Sequence, residues 1–155
     1  IKNMKEKTLR YPGHVEYVKV LKESGFFNEE KININGAEVS PLDFTSKILF
    51  KEWKLEENEE EVTVMRISIK GTDQNNQEKT IVYNLHDEYC TKTNVSSMSR
   101  TTGYTATAAA NLFLDGLFNE KGIFPPELIG KHITCFNYIL NYLEERNVIY
   151  IKQEI

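Results

Sequence analysis

Two short stretches of the chain carry residue types that can hold an anion. The first, Thr8-Leu9-Arg10-Tyr11-Pro12-Gly13-His14, sets an arginine, a tyrosine and a histidine around a Pro-Gly turn. A guanidinium forks onto a carboxylate through two parallel N–H bonds. A hydroxyl and backbone amides beside it can complete such a site. The same residues also suit a surface turn whose arginine makes an exposed ion pair, and residue types alone leave both readings open. The second stretch, Ser96-Ser97-Met98-Ser99-Arg100-Thr101-Thr102-Gly103-Tyr104, packs hydroxyls and one arginine ahead of a helix start. A helix N-terminus attracts negative charge, so this stretch can bind an anion or simply cap its own helix.

Other chemistries lack their signatures. The sequence holds no GxGxxG after a strand, no GxxxxGK[ST] loop and no GxSxG elbow. His14, His86 and His132 do not stand at metal-ligand spacing. His86-Asp87-Glu88 reads as an exposed strand end rather than a metal site, and His132 as a packed or capping residue beside an apolar stripe. Cys90 and Cys135 have no CxxC partner. Cys135 reads as core. Cys90 ends a strand with only Lys92 nearby to lower its pKa. Two such thiols suit a reduced, cytoplasmic protein.

The elements that must position these residues follow from periodicity. Lys5–Tyr11 is expected to form a short strand, broken by Pro12-Gly13. Val15, Val18 and Leu21 predict a helix from His14, with Gly25 as its C′ residue. Asn35-Gly36 between Ile32, Ile34 and Val39 predicts a small hairpin. Ser40-Pro41 starts the next helix, with Leu42, Ile48, Leu49 and Trp53 expected on its buried side. The acidic run Glu56–Glu61 reads as a solvated linker. Residues 62–70 and 79–89 predict an antiparallel hairpin. Val62 and Val64 are out of phase with Ile67 and Ile69, which suggests a bulge near Met65-Arg66. Ile81, Tyr83 and Leu85 share one face of the second strand. An alanine-rich helix lies within Ser96–Phe118. A last helix opens at Pro125-Pro126 and runs on through Leu143, with Arg146 in its last turn. Val148–Ile151 is expected to close the chain as a strand. This order predicts an α+β fold: a mixed, largely antiparallel β-sheet with helices packed on one face.

The whole composition fits that reading. The chain has 155 residues, enough for one domain, and 27% of them are charged. Its net charge of -4 gives no support to nucleic-acid binding. No apolar run is long enough to cross a membrane, and the charged first residues lack the apolar stretch of a signal peptide.

Three motifs in order carry a resemblance. Thr8 to His14, followed by a Val-Glu-x-x-x-x-Leu helix, resembles the TLRYPGH segment of the saccharopine dehydrogenase and lysine 6-dehydrogenase family. Ser97-Met98-Ser99-Arg100-Thr101-Thr102-Gly103-Tyr104-Thr105-Ala106 is similar to that family's MARTTGYPA run. Gly122-Ile123-Phe124-Pro125-Pro126-Glu127 is similar to its GV-PPE turn. Thr105 and Ser99 depart from the family's proline and alanine.

The resemblance implies an oxidoreductase that acts on a C–N bond of a lysine-derived amino acid, with NAD or NADP held by an N-terminal Rossmann domain. It implies that residues 1–155 form a single domain, the C-terminal substrate-binding part of such a protein. The Rossmann domain is expected to be absent, so the fragment itself is expected to bind no cofactor and to show no activity. Substrate contacts would fall on Thr8, Leu9, Arg10 and His14, with Arg100 as a further candidate. Arg10 would pair with a substrate carboxylate. The partners implied are a small-molecule amino acid and a second subunit in a homodimer. The same sequence also fits a non-catalytic dimerisation or interaction module that kept this fold.

Overall fold

The computed structural model describes residues 3–56 and 59–155. The chain divides into two compact units, one ending at Leu55 and the other beginning at Glu56. Each is described by itself.

In the first unit, residues 3–11 carry no regular secondary structure and pair with no strand, so the expected strand Lys5–Tyr11 does not form among the described residues. Gly13 (φ 90°) turns the chain into helix α1, His14–Glu23. Gly25 (φ 85°) ends it: the Phe26 and Gly25 amides donate to the carbonyls of Leu21 and Lys22, which satisfies the last turn. Strands β1, Ile32–Ile34, and β2, Ala37–Val39, pair antiparallel about Asn35-Gly36. Both turn residues have positive φ, as the hairpin turn requires. Helix α2, Pro41–Trp53, starts where Ser40 Oγ accepts from the Asp43 amide at 3.2 Å. Its buried position is Thr45. Ile48 and Trp53, expected inside, are exposed.

The second unit carries the larger core. Strands β3, Val62–Thr72, and β4, Glu78–Glu88, form a hairpin whose register runs unbroken from Val62 opposite Glu88 to Thr72 opposite Glu78. The expected bulge is therefore absent. The phase change between Val62 and Ile67 has another cause: β3 carries apolar residues on both of its faces. Strand β5, Tyr150–Glu154, pairs antiparallel with the other side of β4. The sheet order is β3-β4-β5, and all its pairings are antiparallel.

Helix α3, Ser97–Leu114, buries Ser97, Arg100, Thr101, Ala108 and Leu112, one stripe at helical spacing. The last helix is not continuous. A short α4, Pro126–Ile129, stops at Gly130, and α5 runs Ile133–Glu144 from His132 at its N-cap. Helix α5 packs on α3, and α3 packs on β3 and β4. Leu85, Leu143 and Val148 form one core cluster with Tyr104, Ile139 and Tyr150 against it. Leu112, Phe118 and Cys135 form a second. The fold is thus α+β, with helices on one face of an antiparallel sheet.

Candidate functional site

The residues singled out by sequence lie in different units. Thr8, Leu9, Arg10 and His14 belong to the first, and Arg100 to the second. Thr8, Leu9 and Arg10 are exposed on the irregular segment before α1. Among the described residues, the Arg10 guanidinium donates to one acceptor, the Leu9 carbonyl, at 3.0 Å. Most of its donors therefore face solvent. The turn that follows is closed by the His14 amide donating to the Tyr11 carbonyl at 3.2 Å. The His14 ring stands 5.7 Å from that of Trp53 in a tilted contact, which ties the start of α1 to the end of α2.

Arg100 has the opposite setting. It stands on the buried stripe of α3, so the helix carries its side chain inward. Its Nε donates to Asp87 Oδ2 at 2.9 Å and its Nη2 to Asp87 Oδ1 at 3.2 Å. The same Nη2 reaches the carbonyls of Arg146 at 2.9 Å and Asn147 at 3.5 Å, just beyond α5. Carbonyls at a helix C-terminus lack partners inside the helix, and this cation supplies them. The hydrogen bonds that Arg100 donates to Asp87 raise its pKa further above an already high value, so the charge is permanent. Arg100 also stacks 5.7 Å from the Tyr104 ring. One side chain thus joins β4, α3 and the turn into β5.

The strand end expected to be exposed at His86-Asp87-Glu88 is not uniformly so: Asp87 is buried, at 5% exposure. The signal that marks it is strand alternation, since Leu85 and Asp87 lie two apart and share the inward face. His86 and Glu88 point the other way and face each other at 3.8 Å.

Of the two readings of the stretch ahead of α3, the structure has the capped one, and the chain itself supplies the anion. The Glu61 carboxylate accepts from both the amide and the hydroxyl of Ser97, the first residue of α3. Ser97 Oγ also lies 2.6 Å from Thr63 Oγ1. Ser96 Oγ accepts from the Ser99 amide at 3.1 Å. The acidic run is therefore more than a linker: its last residue caps a helix. Glu57 and Asn58 of that run lie outside the described residues. Glu61 is hidden in the sequence by its similar neighbours, since nothing in a row of glutamates marks the one that turns inward.

Cys135 is buried in the core and Cys90 is half-buried; both are free thiols. Two hydrogen bonds from Thr93 lower the Cys90 pKa. His132 stands at the N-cap of α5 without capping it. Its ring meets Phe118 edge-on at 5.6 Å, and its Nε2 lies 3.8 Å from Glu120. These residues, with Phe124, Leu128 and Lys131, line an open depression of about 200 Å³. Among the described residues no group of three or more acidic, histidine or cysteine side chains converges to hold a metal ion.

Comparison with known families decides the class. The model of the saccharopine dehydrogenase C-terminal domain matches residues 1–149. The chain belongs to this family. Domain identity thus points to a dehydrogenase-family parent.

Such a parent would use NAD or NADP, and the described residues can be tested for fit to a dinucleotide. A dinucleotide pyrophosphate needs a free helix N-terminus behind a glycine-rich turn from a parallel strand. The α3 N-terminus is filled by the Glu61 carboxylate, which would repel a phosphate. The α1 N-terminus follows a segment that pairs with no strand, and the sheets are antiparallel. The dinucleotide does not fit these positions.

Proposed function

We propose that this chain acts as a non-catalytic association module of the saccharopine dehydrogenase C-terminal fold, supplying contact surface to an oxidoreductase assembly. In this reading, hydride transfer and its NAD or NADP belong to residues other than those described, in a cytoplasmic enzyme. The carrying observation is β3. It is an eleven-residue edge strand without a bulge, and Val62, Val64, Met65, Ile67 and Ile69 along it are all exposed. Long, apolar edge strands recruit other strands unless something covers them. Sedimentation equilibrium over a wide concentration range tests the reading. Reversible self-association is expected, and a monomer at every concentration would overturn it.

A second reading gives the chain a share of the substrate site, with residues 1–155 as the substrate-side domain. Arg10 supports it, because its fork is exposed and has a single protein acceptor among the described residues. Thr8, Leu9 and His14 beside it would complete the contact with a carboxylate of a lysine-derived amino acid. Arg100 would act in that reading through the fold, since Asp87 and two carbonyls engage it. The test is Arg10→Ala in the full-length enzyme. A charge-assisted fork is worth about 1.5–3 kcal/mol, so KM for the amino acid should rise roughly 10- to 100-fold with folding intact. An unchanged KM would remove Arg10 from the site.

A further inference from the structure

The β1–β2 turn carries the one Asn-Gly pair in the sequence, Asn35-Gly36. Both residues have positive φ, 53° and 88°, and the whole turn is exposed. An asparagine ahead of a glycine holds two reactive groups close together: its own side-chain carbonyl carbon and the next residue's amide nitrogen. Glycine has no Cβ to crowd that nitrogen or to restrict its backbone. Among the described residues the Asn35 side chain has no hydrogen-bond partner, so its amide is free to turn. The nitrogen is held. The Gly36 amide donates to Asn33 Oδ1 at 3.0 Å, and Asn33 Nδ2 donates to Glu38 Oε1 at 3.0 Å. Asn33 and Glu38 face each other across the strand pair. One cross-strand clasp therefore engages the group that would have to attack.

We propose that Asn35 is a site of spontaneous deamidation, and that Asn33 sets its rate by holding the Gly36 amide. In the reaction the Gly36 nitrogen attacks Asn35 Cγ. An N–C bond forms, the bond from Cγ to the side-chain nitrogen breaks, and ammonia leaves with the proton from the Gly36 amide. Water then opens the cyclic imide at either carbonyl, giving aspartate or isoaspartate. The bond to Asn33 Oδ1 opposes the first step, because the nitrogen must give up the proton that it donates there. Isoaspartate routes the backbone through the side chain and adds a methylene, which a two-residue hairpin turn has no room for. Either product adds a carboxylate to a hairpin that already carries Glu38. Deamidation therefore loosens the β1–β2 pair, starting from Ile34 and Ala37 beside the turn.

Asp115-Gly116, at the end of α3, can form the same imide with water as the leaving group. There both reacting groups are engaged. Asp115 Oδ2 accepts from the Tyr138 hydroxyl at 2.7 Å, and the Gly116 amide donates to the Phe113 carbonyl at 3.1 Å. At Asn35 only the nitrogen is held, and by one exposed side chain. Of the two pairs, Asn35-Gly36 is the one that reacts.

The test incubates the 155-residue chain in mildly alkaline buffer and follows each asparagine by peptide mass mapping, with an isoaspartate-specific methyltransferase to separate the two products. Asn35 is expected to convert faster than any other asparagine, to both products, while Asp115 gives no isoaspartate above background. Asn33→Val removes the acceptor and keeps a residue that suits a strand. The Asn35 rate should then rise roughly 2- to 10-fold, the worth of one hydrogen bond. Asn33→Asp with Glu38→Gln restores an acceptor for the Gly36 amide and a donor to hold it, and should return the rate to within about 2-fold of the starting chain. Conversion at Asn35 no faster than at Asn75, on another exposed turn, would overturn the site. Isoaspartate as abundant at Asp115 as at Asn35 would overturn the argument from held groups. An unchanged rate in Asn33→Val, or a double variant as fast as Asn33→Val, would overturn the part given to Asn33.

Discussion

The two edges of the second unit's sheet are built differently. β5 is five residues long, carries Lys152, Gln153 and Glu154, and pairs Lys152 with Glu154 at 2.7 Å. Short length and charge are the usual ways to keep an edge from pairing with other chains. β3 is eleven residues long, unbroken, and exposes Met65, Ile67 and Ile69 on the helix side and Val62 and Val64 on the other. One edge is closed to partners and the other is open. The difference shows where contact surface has been kept: on the long strand whose apolar residues stay exposed.

Expected outcomes can break or sharpen this contrast. The largest concerns what holds the closed edge in place. Arg100 bonds Asp87 on β4 and the carbonyls of Arg146 and Asn147 just ahead of β5. Asp87→Ala leaves this cation buried and without its carboxylate, which should cost the second unit about 3–5 kcal/mol. Denaturant unfolding reads the loss. Replacing both partners by apolar residues, as in Asp87→Leu with Arg100→Met, should recover most of it, because a buried pair is often no better than good apolar packing. If the double variant is as unstable as the single one, the pair does more than offset its own desolvation.

Next in size is the open edge. Ile67→Lys sets a cation in the middle of the exposed apolar stripe of β3. Self-association by sedimentation should weaken roughly 10- to 100-fold, about 1.4–2.8 kcal/mol, with circular dichroism unchanged. The matching change on the closed edge, Ile151→Lys, alters a residue already 60% exposed and should shift neither association nor stability by more than about 0.5 kcal/mol. An equal effect of the two substitutions would erase the contrast between the edges.

The smallest effect is pH-dependent. Tyr150 opens β5 and packs against the Leu85, Leu143 and Val148 cluster, and burial raises its phenol above the ordinary value of 10.0. A raised pKa means that the folded state favours the neutral phenol. Its contribution is complete below about pH 10 and is lost as pH rises through the folded value. Tyr150→Phe should therefore flatten the alkaline arm of the stability profile above about pH 10 and leave neutral pH little changed. An identical alkaline loss in Tyr150→Phe would show that another group titrates.

What the sequence discloses is local. Gly25 as a C′ residue, Asn35-Gly36 as a hairpin turn and Ser40-Pro41 as a helix start all act within one turn of backbone, and the structure has them where expected. The three motifs that resemble saccharopine dehydrogenases lead to the same family that the family model matches. What stays hidden depends on distant partners. Asp87 and Arg100 are thirteen residues apart and meet only because β4 and α3 pack together. Glu61 finds Ser97 across thirty-six residues. The break at Gly130 is masked because Leu128, Ile129 and Ile133 keep an apolar pattern on both sides of it. The odd phase of β3 is visible in the sequence, but a bulge and two-sided apolarity on an open edge produce the same pattern.

Hydrogen exchange tests the central claim most directly, followed amide by amide in the 155-residue chain at low and high protein concentration. The outward amides of β3 are expected to exchange quickly when dilute and to become protected as concentration rises, while the outward amides of β5 stay fast throughout. Protection that fails to grow on β3, or that grows on β5 instead, would contradict association through the open edge.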